Sequence, residues 1–195
     1  MFVDYVTLLL VNMLAGHVLL ALFILRARDE QSRRHWVPAL AAVGIVAFIP
    51  GLHMIFTWPL PGSYSSAYGE MSVLFGTVFL ALAMGARTGS SLIPVGLYTV
   101  FAGVASIVLG IRFIGLGFTL SPWVSGIGFV ATGSAGVLLP LALRVPNPAL
   151  LRRLVAAILL VAAIIWAMTA YPALWSHMEN FKDWTPSATL ERSQK

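Results

Sequence analysis

The segment VTLLLVNMLAGHVLLALFIL, residues 6–25, runs twenty positions without a charged side chain. A helix of that length spans ~30 Å, the thickness of a bilayer's hydrocarbon core. It is too long and too uniformly apolar for the alternating strands of a membrane barrel. The segment therefore reads as a transmembrane helix, closed on its far side by Arg26, Arg28, Arg33 and Arg34.

Five further segments read the same way: Val37–Phe56, Ala67–Gly85, Leu92–Ile111, Ser121–Leu143 and Leu150–Tyr171. Of the 195 residues, 59% are hydrophobic and 10% charged, with a mean hydropathy of +0.90. A soluble domain carries roughly 25% charged residues, so an ordinary soluble fold is excluded. The expected fold is an all-α membrane protein, a bundle of six transmembrane helices in one domain over residues 1–174. A polar tail, 175–195, follows and is expected to be outward-facing and partly disordered. Seventeen glycines suit close helix approach in lipid. Gly126, Gly128, Gly133 and Gly136 of the fifth segment are expected to line a packing seam. The chain has no cysteine, which removes disulfides, thiolate metal sites and a cysteine nucleophile. No cleavable signal is expected, because Met1–Tyr5 lack a basic region.

The net charge of +5 is carried in short clusters between apolar segments, which argues against a nucleic-acid partner. Expected partners are membrane lipid, other membrane subunits or a second copy of the chain. The first, third and fifth loops share one side and hold eight arginines: Arg26, Arg28, Arg33, Arg34, Arg87, Arg144, Arg152 and Arg153. The other side holds Arg112 and, in the tail, Lys182, Arg192 and Lys195. By the positive-inside rule both termini face outward, in a multi-pass protein of the cell membrane. Trp36, Trp58, Trp123 and Trp175 fall at expected helix ends, where interfacial aromatics belong.

Ionisable groups inside a membrane are costly and so mark candidate sites. His17 lies roughly 14 Å from the arginine side, near mid-membrane, with Asn12 on the same helix. His53, Glu70, Arg112 and His177 are expected at one level near the outer boundary. Met54 adjoins His53, and imidazole, carboxylate and thioether suit a metal ion such as copper. Two histidines could instead ligate a haem axially. A plain Glu70–Arg112 ion pair is the competing reading of that cluster, as is a hydrogen bond to a neighbouring helix or to Asn12 for His17. Pro50 and Gly51 are expected to kink the second helix just before His53, the broken second helix that a transport reading would use. No phosphate loop or catalytic triad is present at plausible spacing, so the reading leans away from an enzyme.

Two stretches carry a resemblance: FVDYVT at 2–7 through NMLAG at 12–16, and WPLPGSY at 58–64 with Gly69-Glu70. On them the chain resembles a family of small prokaryotic integral-membrane proteins known as domain of unknown function 981. The resemblance covers nearly everything before the tail. It implies a multi-spanning membrane protein and transfers no catalytic residue. The expected function is a non-enzymatic subunit or partner of a membrane assembly, with an outward site for an ion, metal or haem on His53, Glu70, Arg112 and His177. The alternatives are transport of an ion or small solute past His17 and Glu70, and a haem- or metal-binding redox protein.

Overall fold

The computed structural model describes residues 5–144 and 149–185. These residues form seven helices and no strand: α1 Val6–Arg26, α2 Glu30–Arg34, α3 Val37–Thr57, α4 Tyr64–Thr88, α5 Ile93–Leu116, α6 Pro122–Leu143 and α7 Ala149–Asn180. Six of them, all but α2, are long and apolar enough to cross a membrane. They form a ring in the order α3, α4, α5, α6, α7, α1, closed by α1 against α3. The α4/α5 seam is the sparsest contact between neighbours in that ring.

Two glycine registers build the tightest pairs. Gly96, Gly103 and Gly110 recur every seven residues on α5 and meet Pro140, Gly133 and Gly126, which repeat at the same interval on α6. A β-carbon at Gly103 would sit 2.5 Å from the Gly133 carbonyl oxygen, and one at Gly110 would sit 2.6 Å from that of Gly126. Gly44 and Gly51 on α3 face Gly76 and Gly69 on α4 in the same manner, with a Gly76 β-carbon 2.8 Å from the Gly44 carbonyl. Lipid tails are as apolar as leucine, so close van der Waals contact and backbone approach hold these hairpins. The expected α6 seam is present, and it is internal to the chain.

The core divides into two clusters. Phe23, Leu40, Phe79, Leu82 and Leu139 belong to the cluster of the arginine-rich half. Leu10, Phe113, Phe129 and Trp166 belong to the other. Three features depart from expectation. α3 continues through Pro50 without interruption, so the second span is not broken. The proline forfeits one backbone bond, a loss that membrane helices tolerate, and Gly51 lets α4 lie against the same turn, with Val73 N 2.9 Å from where its β-carbon would be. The first loop contains α2, started by a capping box in which Asp29 accepts from Ser32 N at 2.8 Å. Finally, α7 carries six residues of the expected tail, ending at Asn180; residues 186–195 lie outside those described. Its 32 residues extend ~48 Å, so the helix outruns the hydrocarbon core.

Candidate functional site

The loop WPLPGSY is a built turn. α3 stops at Trp58, the one non-glycine with a left-handed backbone among the described residues (φ 47°), and its indole Nε1 donates to the Gly62 carbonyl at 3.1 Å. Ser65, fully buried, accepts from Leu60 N at 2.9 Å. The Tyr64 hydroxyl donates to the Phe118 carbonyl and ties this loop to the one between α5 and α6. His53 lies at this level, half-buried, with the Tyr5 hydroxyl 2.9 Å from Nδ1. Thr57 spends its proton on the His53 carbonyl at 2.7 Å.

The other expected outer residues are at this end of the bundle. Glu70 is exposed and accepts from Ser66 one turn earlier at 2.5 Å. Arg112 is exposed near the end of α5. Among the described residues the ion pair is Arg34–Glu30, so the Glu70–Arg112 bridge does not form. Met54 is fully buried, while Glu70 faces outward. His177 packs against Phe181 at 5.0 Å between ring centroids. No group of three or more His, Asp or Glu that could hold a metal ion occurs among the described residues.

The deep polar residues behave differently. Asn12 donates to the Val43 carbonyl at 3.0 Å and joins α1 to α3. His17 is 1% exposed. Its Nδ1 lies 2.6 Å from the Met13 carbonyl, which only accepts, so Nδ1 carries the proton. In the neutral ring Nε2 then accepts from the Thr132 hydroxyl at 2.9 Å, and Thr132 in turn accepts from Trp166 Nε1 at 3.0 Å. The chain Trp166→Thr132→His17→Met13 runs one way and joins α7, α6 and α1. Gly16 gives Phe75 room to stack on the His17 ring, centroids 5.6 Å apart.

Beside this chain lies a cavity of about 70 Å³ at the junction of the two core clusters, behind the sparse α4/α5 seam. Phe75, Phe79 and Phe129 give it an apolar lining, which Thr99, Ser106 and Thr132 also join. Thr99 shares its single hydroxyl proton between the carbonyls of Gly96 (2.6 Å) and Gly136 (2.8 Å), and Ser106 donates to that of Phe129 (2.8 Å). Every hydroxyl proton is therefore committed, and what remains is acceptor lone pairs. Sequence reasoning missed Thr99, Ser106, Thr132 and Trp166. Trp166 carried the available signal, since tryptophan ordinarily sits at the membrane interface and this one falls mid-span.

These features define a polytopic helical membrane protein with a mostly apolar cavity between its helices. The family described as Protein of unknown function (DUF981) matches residues 1–180, and the chain belongs to that family. No curated protein and no solved structure matches it.

Proposed function

We propose that this protein is a multi-pass binding protein of the plasma membrane whose central cavity takes a small, lipid-soluble molecule carrying a hydroxyl. The observation behind this reading is the chemistry of the cavity's polar groups. Thr99 and Ser106 offer only lone pairs, so the fitting ligand donates a hydrogen bond; an alcohol or phenol does so, whereas a quinone carbonyl cannot. Concave, largely apolar clefts with a few polar groups are the usual form of small-molecule sites. The loose α4/α5 seam supplies a lateral route from lipid. The glycine faces that would have suited partner subunits are consumed inside the chain, which leaves binding a better supported role than assembly. The arginine-rich end faces the cytoplasm by the positive-inside rule.

A photoactivatable alcohol bearing a diazirine, added to the protein in lipid vesicles, tests this reading. Crosslinks should concentrate on α5 and α6 around Thr99, Ser106 and Thr132. Ala102→Leu, which fills the cavity, should reduce them at least fivefold while leaving the fold intact. Labelling spread over the lipid-facing helices, equal in both proteins, would overturn it.

A further inference from the structure

At the arginine-rich end the first and last spans meet. Arg152, in the first turn of α7, donates to the Ile24 carbonyl from Nε at 2.7 Å and also from Nη2. That carbonyl is one of the last four of α1, which have no partner inside the helix. Two of the five guanidinium donors are thereby used, and three remain. Arg28, Arg33 and Arg144 line the same cavity as Arg152, a space of about 110 Å³ walled on its apolar side by Phe23 and Leu92. No carboxylate among the described residues lines it. The two acids of the first loop are engaged elsewhere: Asp29 caps α2, and Glu30 pairs with Arg34 at 2.5 Å.

Four guanidinium groups around one small space repel one another, and an anion among them converts the repulsion into attraction. The space holds several waters, at roughly 10–15 Å³ of accessible volume each, and so has room for one tetrahedral oxyanion. Arginine's planar fork matches phosphate oxygens two at a time. We propose that this cavity binds a phosphate group. Its position at the ends of α1 and α6 and the starts of α5 and α7 is where a phospholipid's phosphate lies, and basic pockets between transmembrane helices take anionic headgroups. Free inorganic phosphate presents the same chemistry.

The test uses the full chain in a non-ionic detergent, titrated separately with phosphatidylglycerol, phosphatidylcholine and inorganic phosphate, with binding read by native mass spectrometry and thermal midpoint. Saturable binding of phosphatidylglycerol but not phosphatidylcholine identifies a lipid headgroup site; a saturable response to inorganic phosphate alone identifies the free anion. In either case Arg28→Gln with Arg33→Gln should weaken binding at least tenfold. No hydrogen bond of the folded chain is lost from those two side chains among the described residues. Arg26→Gln with Arg153→Gln removes the same charge outside the cavity and should change affinity less than twofold. Equal weakening by both double variants reduces the effect to diffuse surface charge and overturns the proposal, as does the absence of saturable binding by either phosphate source.

Discussion

The protons between Trp166 and Met13 run in one direction, and Thr132 is the residue through which they pass. Thr132→Val removes the acceptor of one buried N–H and the donor to one buried ring nitrogen. Orphaned buried groups cost about 1–3 kcal/mol each, and interhelical bonds in membrane proteins fall toward the low end. The expected loss is about 1–3 kcal/mol for Thr132→Val and under about 1 kcal/mol for Thr132→Ser, which keeps the hydroxyl. Equilibrium unfolding in mixed micelles, followed by tryptophan fluorescence, measures both; equal losses would show that the methyl packing matters and the chain does not. Tyr5 makes a second, pH-dependent contact, since desolvation raises its hydroxyl pKa while it lies against His53. A raised pKa means the protonated form is favoured in the folded state, so this stability is present below the ordinary value of about 10 and fades as pH rises through the folded one. Unfolding midpoints between pH 8 and 11 should fall more steeply for the native chain than for Tyr5→Phe. The depth of His17 was legible from its distance to Arg26, because depth follows from counting along a helix. Its partner Thr132 was not, because the contact joins residues 115 positions apart and depends on which face each helix presents.

That distinction between level and face also accounts for the outer cluster. Counting placed His53, Glu70 and Arg112 at one height, and the structure keeps them at one end of the bundle. The azimuth of each helix is set by its glycine register, which turns Gly69 toward α3 and leaves Glu70 exposed. The register itself was written in the sequence as Gly96, Gly103, Gly110 and Gly126, Gly133, a seven-residue repeat that marks a helix face packed along its length. Gly103→Ala forces a β-carbon to within 2.5 Å of one backbone oxygen and 2.9 Å of Val137 N, so α5 and α6 must separate. Overpacking of this kind costs about 1–3 kcal/mol. Gly115 has nothing within 4 Å of its would-be β-carbon. Gly115→Ala should therefore be neutral or stabilising by up to about 1 kcal/mol, from helix propensity alone. Circular dichroism during thermal unfolding compares the two; a similar cost at both positions would mean that the close approach does not hold the hairpin. Helix ends were less legible than helix centres. α7 runs past the apolar stretch to Asn180 because a continuing helix satisfies its own backbone, whatever the polarity of its last side chains.

At the scale of the molecule, the ring is organised around an asymmetry of charge. Arg152 joins the start of α7 to the end of α1, so those two helices run antiparallel and the start of α1 shares an end with the finish of α7. Tyr5 against His53 fixes the end of α3 at that same face, and Tyr64 against Phe118 adds the loop between α5 and α6. The two faces then differ sharply: eight arginines lie on one, while the WPLPGSY turn on the other carries no charge at all. A chain built this way is expected to insert with the arginines retained on the cytoplasmic side, since moving short cationic loops across the bilayer is disfavoured. The absence of native cysteine makes the orientation directly readable. Ser63→Cys and Gln31→Cys are both at exposed positions, one on each face, and neither native side chain caps or bridges a helix among the described residues. In intact cells a membrane-impermeant maleimide should label Ser63→Cys and leave Gln31→Cys unmodified until the membrane is opened. The reverse pattern would invert the molecule, put the arginine-lined cavity at the outer leaflet, and require its phosphate to come from an outer-leaflet lipid or from outside the cell.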